Sequence, residues 1–220
     1  DEKELEKAPA RNAGRVLAAG PGGNILTALV ALAGLILIVS TMTPIANGLG
    51  VFAVAQNYPA HQAGIKPGDI IIEVNGQSAT LSSMLKVYAN LKPGDTIQFS
   101  ILRIEGDGIY FKKDYTLRLA ANPDNKSLPY AGISLVNAEE VLDRYKQMGF
   151  DSPLIYLVWP TLADQRIPYS DKMYPFYTSS IGPAFQPLAN LLFWIWFVNF
   201  NLAIFNALPI YPLDGGQAFK

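Results

Sequence analysis

Two membrane-crossing α-helices enclosing an inserted α+β domain is the fold class this sequence predicts. Three observations predict it. An uncharged aliphatic stretch lies near the start of the chain, and an uncharged aromatic-rich stretch lies near its end. Between them runs a section of ordinary surface charge, with alternating apolar positions and glycine–proline turn signals.

Composition narrows the chemistry before any motif is read. The 220 residues carry 17 Lys+Arg against 18 Asp+Glu, a net charge of −1, so no basic field is present to hold nucleic acid. Charged residues make up 16% and apolar ones 50%, against roughly 25% charged in soluble proteins. The absence of cysteine removes disulfides, Cys-ligated zinc and thiol nucleophiles. A single histidine, His61, rules out a two-His metal site built from these residues alone. His61 itself reads as a surface histidine near a helix start, with no metal and no catalytic role.

The first span is expected over residues 20–42, after an N-terminal flank of residues 1–19. Ile25 to Val39 is almost wholly aliphatic, and no charge falls between Arg15 and Lys66. A bilayer core takes roughly 20 such residues as a helix. A core helix of a soluble protein seldom stays uncharged this long, and no small-x-small cleavage site marks a signal peptide. The second span is expected over residues 187–208, with Trp194 and Trp196 inside it and Asn190, Asn199, Asn201 and Asn206 interrupting it. Asn199 and Asn206 share a helical face. Amides in hydrocarbon are costly, so that face is expected to meet other helices or a water-filled site, with interhelical glue the plainer role for Asn199 and Asn201. Lys3, Lys7, Arg11 and Arg15 precede the first span and Lys220 follows the second. Basic residues near span ends stay inside, which places both termini in the cytoplasm and residues 43–185 outside.

Residues 46–136 read as the inserted domain. Gly50–Val54 forms a strand, and over residues 59–76 Gly64, Pro67-Gly68 and Asn75-Gly76 punctuate a short helix, a strand and a tight turn. Apolar residues at Leu81, Met84, Leu85, Tyr88 and Leu91 make one helical stripe. Lys92-Pro93-Gly94-Asp95 turns the chain into strand Thr96–Arg103, and Tyr110–Leu119 supplies its partner, with register set by Gly106-Asp107-Gly108. Residues 130–136 offer one more strand. Residues 137–186, rich in proline and aromatic rings such as Tyr169, Tyr174, Phe176 and Tyr177, read as an interfacial linker hugging the outer leaflet.

The run Pro59-Ala60-x-x-Ala63-Gly64-Ile65-x-x-Gly68-Asp69-Ile70-Ile71-x-x-Val74-Asn75-Gly76 resembles a bacterial, protease-associated PDZ domain. The resemblance implies that an extended peptide adds as a strand between Gly50–Ala55 and helix Leu81–Leu91, with backbone groups of Gly48, Leu49, Gly50 and Val51 facing it.

The segment 209–220 holds the chemistry. Asn206-x-x-Pro209 runs into Leu213-Asp214-Gly215-Gly216, where two prolines break the helix just before an acid and two glycines. This spacing resembles the third-ligand motif of the site-2 protease family of intramembrane zinc metalloproteases. Gly20-Pro21-x-x-Asn24 resembles the family's Gly-Pro-x-x-Asn start of a core helix, and a PDZ-like domain between those helices is a family arrangement. The resemblance implies a site-2-protease-like core in which Asp214 is the carboxylate ligand of a catalytic zinc and Asn206 and Pro209 shape the substrate-facing backbone. It implies membrane-spanning protein substrates, a peptide in the PDZ-like groove, and the lipid bilayer as surroundings. The family's two His ligands and catalytic Glu sit in H-E-x-x-H, which is not among these residues, so no catalytic residue is assigned here. The chain is expected to be a cut piece, inactive alone and not retaining zinc. A membrane-tethered peptide-binding adaptor, or an inactive protease relative, is the alternative expectation.

Overall fold

The computed structural model describes residues 10–105, 109–151, 153–158 and 166–208. In chain order the elements are helix α1 (Ala10–Ser40), strands β1 (Met42–Pro44) and β2 (Leu49–Val54), helix α2 (Pro59–Gln62), strands β3 (Ile70–Val74) and β4 (Gln77–Ser78), and helix α3 (Leu81–Ala89). There follow strands β5 (Thr96–Glu105), β6 (Ile109–Arg118), β7 (Ala120–Ala121), β8 (Pro129–Tyr130) and β9 (Ile133–Val136), helix α4 (Ala138–Asp151), strand β10 (Tyr177–Ser179) and helix α5 (Phe185–Ala207). They divide into a helical unit (Asp1–Ser40, Ser152–Leu157 and Pro183–Lys220) and a sheet unit (Thr41–Asp151 and Val158–Gly182).

In the helical unit α1 packs along α5. Small residues allow the approach: Ala28 and Ala31 on α1 and Ala189 and Ala203 on α5 are all buried, and a Cβ on Gly34 would meet the Leu192 methyls at 3.4 Å. Leu35 and Phe193 are fully buried, while Leu26, Leu29, Val30 and Leu37 on α1 and Leu191, Val198 and Phe205 on α5 point outward. Ala19–Ser40 and Gly182–Ala207 are long and apolar enough to cross a membrane, with mean hydropathy 2.3 and 1.7. The first helix starts earlier than residue 20: it runs unbroken from Ala10, so Pro21 lies inside it and removes one i→i−4 hydrogen bond there.

The sheet unit is built on an antiparallel sheet of order β6-β5-β3-β2-β9, with β4 added to β3. Its inward-facing residues Leu49, Val51, Ile71, Val74, Phe99, Ile101 and Leu117 close on Met84 of α3 and on Ala60 and Ile65. Helix α3 begins at Thr80, whose hydroxyl accepts from Ser83 N–H while the Ser83 side chain accepts from Thr80 N–H, a reciprocal cap. The β5–β6 ladder runs from Thr96↔Arg118 to Glu105↔Ile109. Residues 106–108, expected to set its turn, lie outside the described residues.

The tetrad Lys-Pro-Gly-Asp occurs twice and folds the same way each time. Lys66 N–H donates to Asp69 Oδ2 at 2.8 Å, and Lys92 N–H donates to Asp95 Oδ2 at 2.7 Å. The glycines at the third position take φ of +93° and +95°, which a turn with proline second requires. The two copies differ in surroundings. Asp95 is exposed, whereas Asp69 is 2% exposed and receives both prongs of Arg103, Nε to Oδ1 and Nη2 to Oδ2, each at 2.7 Å. The same Nη2 donates to Gly64 C=O at 2.7 Å, so one guanidinium ties β5 to both ends of the α2–β3 connection.

The expectation of a membrane-hugging linker over 137–186 gives way to packing. Helix α4 buries Leu142 and Tyr145, and Ile167, Tyr169, Met173, Phe176 and Tyr177 are each at most 3% exposed. A Cβ on Gly50 would lie 2.7 Å from the Phe176 ring, so the glycine is there to seat the ring. Tyr177 donates its hydroxyl to Ala138 C=O at 2.8 Å, and β10 pairs with β1 over Met42↔Ser179 to Pro44↔Tyr177. Rings that could have served at a bilayer surface are instead buried in this unit, and Gly50 of β2 leaves the space that the Phe176 ring occupies.

Three outcomes follow from this packing. Asp69→Asn leaves a buried guanidinium prong without its anion and should cost about 3–5 kcal/mol in chemical unfolding, against about 1 kcal/mol for Asp95→Asn at the exposed copy. A fragment of residues 41–182 should melt cooperatively and at higher temperature than one of residues 46–136, which lacks Phe176 and the β1–β10 pair; equal melting temperatures would refute the extended boundary. Burial pushes the hydroxyls of Tyr145 and Tyr177 up from their usual range. A raised native value keeps stability intact below about pH 10 and erodes it as pH rises further, because the unfolded chain ionises first. Alkaline titration followed by circular dichroism should show that loss, shallower in Tyr145→Phe.

Candidate functional site

The motif residues of the helical unit separate into those the structure describes and those it does not. Gly20, Pro21 and Asn24 lie within α1, with Asn24 half-buried and Gly20 exposed. Asn206 is half-buried in the last turn of α5, and Leu208 N–H closes that end on Phe205 C=O at 3.2 Å. Pro209, Asp214, Gly215 and Gly216 lie outside the described residues. Asn199 was expected on a face that meets other helices or water, and Asn199 and Asn201 had interhelical glue as their plainer role. Their amide NH₂ groups fold back instead, onto Ile195 C=O at 2.8 Å and Phe197 C=O at 2.7 Å, so each donor is met within α5. Trp196 Nε1–H reaches Tyr156 C=O at 3.2 Å, fixing a buried indole in this unit.

No three His, Asp or Glu side chains gather among the described residues. His61 is exposed on the short α2, as the sequence indicated. The described part of the chain therefore does not by itself offer a zinc ligand set.

The peptide groove is where the structure corrects the sequence most. Gly48, Leu49, Gly50 and Val51 were expected to face a bound strand, but β2 is an interior strand. On one side Leu49 and Gly50 pair with Ile71 and Ile70, and on the other Gly50 to Val54 pair with Val136 to Ile133. Val51 N–H donates to Asp69 C=O at 2.8 Å, and Gly68 N–H donates to Val51 C=O at 2.9 Å. A Cβ on Gly48 would collide with the backbone of Ile71. The backbone of this stretch is spent on its neighbours, and no edge is left there for a ligand.

Among the described strands the sheet ends in β6 on one side and β9 on the other, and β9, which pairs with β2 alone, is the edge on the β2 side. The chain enters it through Tyr130-Ala131-Gly132. Ala60 N–H donates to Ala131 C=O at 2.9 Å and Ala55 N–H to Gly132 C=O at 2.8 Å. Gly132 takes φ +82°, and the space a side chain would fill belongs to Tyr58. Tyr58 meets Tyr130 edge-on at 4.9 Å between ring centres. Burial pushes the Tyr88 hydroxyl of α3 up, with Tyr130 nearby adding to the effect. Ile133 and Leu135 of β9 and Val87 and Tyr88 of α3 pack half-buried on one core cluster, while Leu81 and Leu85 stand 45% and 71% exposed. Strand addition to a sheet edge draws on backbone pairing along the edge and on apolar side chains of a helix packed on the same core, and β9 and α3 supply these two ingredients. The signal for it was a glycine between apolar residues, Ala131-Gly132-Ile133, at the start of the last strand.

A "Putative zinc metalloprotease" of Clostridium perfringens is 26% identical over 179 residues, covering 77% of this chain and 51% of that protein. The chain thus spans about half the length of this relative. Serine endoprotease DegS of Haemophilus influenzae is 34% identical over 59 residues, 26% of this chain and 17% of that one. Among solved structures, the PDZ domain of an SdrC-like protein from Listeria monocytogenes matches with 22% identity and a TM-score of 0.33, over 47% of this chain and 97% of its own. Its Listeria innocua counterpart matches with 27% identity and a TM-score of 0.33, over 41% and 94%. The family model for Peptidase family M50 matches residues 1–220, the whole length of the chain, and the protein belongs to that family.

Proposed function

We propose that this chain is part of an intramembrane zinc metalloendopeptidase that hydrolyses peptide bonds of membrane-spanning proteins. The observation that carries the reading is the family match over residues 1–220, supported by two helices long and apolar enough to cross a bilayer. In family terms Asp214, which follows Pro209 and Pro212 in the sequence, is the carboxylate ligand, and Asn206 and Pro209 shape the backbone beside the substrate. Zinc with three protein ligands acidifies its remaining water and polarises a carbonyl. The helical unit's own contribution is a tightly packed helix pair that holds Asn206 at the end of α5, one residue cluster away from that acid in sequence.

The sheet unit takes the second role. It tethers or filters substrates by strand addition at β9, supported by the unpaired edge and by the exposed Leu81 and Leu85. Lys3, Lys7, Arg11 and Arg15 before α1, with Lys220 at the other end, favour cytoplasmic termini and an extracytoplasmic sheet unit.

In the complete protein, Asp214→Ala should lower cleavage of a membrane-spanning reporter by more than about a hundredfold, the scale of several kcal/mol that a metal supplies. Membrane insertion and expression should stay as in the wild type, and zinc content measured by atomic emission should fall in parallel. Unchanged cleavage with bound zinc would remove Asp214 from the ligand set.

A further inference from the structure

The outer side of β9 is not wholly vacant. Ala55 N–H bonds Gly132 C=O, and the ladder continues through Val54↔Ile133, Ala53↔Ser134 and Val51↔Leu135. In an antiparallel ladder successive residues turn their N–H and C=O alternately toward and away from the partner. Gly132, Ser134 and Val136 therefore face β2, and Ile133 and Leu135 face outward. The irregularity between Val51 and Ala53 lies on β2, so the alternation along β9 is unbroken. An added strand has four groups to engage, the N–H and C=O of Ile133 and those of Leu135.

One of the four is already met. Arg166 Nη2–H donates to Leu135 C=O at 3.4 Å. The side chain is exposed, yet its backbone is held: neighbouring Ile167 is 1% exposed, Tyr169 is fully buried, and Ser170 N–H returns to Ile167 C=O at 2.9 Å. The guanidinium is delivered to the edge by a segment packed into the same unit. A cation on an exposed strand edge also discourages uncontrolled edge-to-edge pairing.

We propose that Arg166 is a specificity-determining residue of the β9 edge, restricting strand addition beyond Ile133. A ligand pairing at Ile133 alone meets free backbone groups. A ligand continuing to Leu135 must take that carbonyl from Arg166, offering a neutral N–H in place of a cationic one. Short terminal segments are thereby favoured over long internal strands. The proposal rests on the reading of β9 as a peptide site.

The test uses the full chain in lipid nanodiscs and a phage-displayed library of random decapeptides with free carboxyl ends, selected separately on wild type and Arg166→Ala. Selected peptides are then measured by fluorescence anisotropy on both proteins, together with versions in which the amide facing Leu135 is replaced by an ester. The expected result is about three- to tenfold tighter binding to Arg166→Ala, the scale of one hydrogen bond exchanged at an exposed site, with the ester penalty larger in the variant than in wild type. Equal or weaker binding by the variant, with equal ester penalties, overturns the role of Arg166 and leaves the groove standing. Failure of either protein to select any peptide overturns the groove itself. Matching thermal melts for the two proteins exclude misfolding as the cause of a difference.

Discussion

A carboxylate that is 2% exposed holds the sheet unit in register. Asp69 closes its own turn through Lys66 N–H and is neutralised by both prongs of Arg103, reached across from β5. An unpaired carboxylate at that depth would be expelled by its desolvation cost, so turn and strand are placed together or not at all. The consequences spread outward. Asp69 C=O accepts from Val51 N–H and Gly68 N–H returns to Val51 C=O, which draws β2 against the turn. With that side of β2 occupied, its other side is the place β9 pairs, and β9 becomes the edge. The ion pair thus bears, through two layers of backbone bonding, on which strand ends the sheet on the β2 side.

Much of this was legible in the residues, where the determinants are local. Each Lys-Pro-Gly-Asp tetrad specifies its turn by itself, since proline sets one angle, glycine permits the next and aspartate caps the amide. The β5–β6 pairing partners and the two long apolar helices are equally local. What the residues did not disclose is partnership. The stripe Leu81, Met84, Leu85, Tyr88 marks a helix, but only Met84 of its first three members is buried, because a face turned to a groove has the same period as one turned to a core. The strand character of Gly50–Val54 was plain, whereas its interior position depends on residues far along the chain, at 133–136. Asn199 and Asn201 look alike on a helical wheel whether they reach a neighbour or bond their own helix. The metal-ligand motif around Asp214 is a statement of family likeness, and its geometry lies outside the described residues.

Aromatic residues illustrate the same limit from another direction. A ring beside a proline suits a membrane surface and a protein interior equally well by composition. Phe176 is committed to the interior by a glycine far away in sequence: Gly50 offers no Cβ, and the ring occupies that space. Tyr58 and Gly132 repeat the device at the start of β9, where the missing side chain lets the loop pass over a tyrosine. Ring-on-glycine contacts of this kind are invisible to periodicity, yet they determine both the extent of the sheet unit and the path into its edge strand.

The pairing of β1 with β10 has a topological meaning for the chain as a whole. Met42 lies opposite Ser179, and the hydroxyls of Thr41 and Ser179 meet at 2.7 Å. Within the sheet unit the chain at 42–44 therefore lies against the chain at 177–179, although well over a hundred residues separate them in sequence. Loop-closure entropy grows only with the logarithm of length, about 0.6 kcal/mol for each doubling, so residues gained or lost between these two strands barely alter what it costs to bring them together.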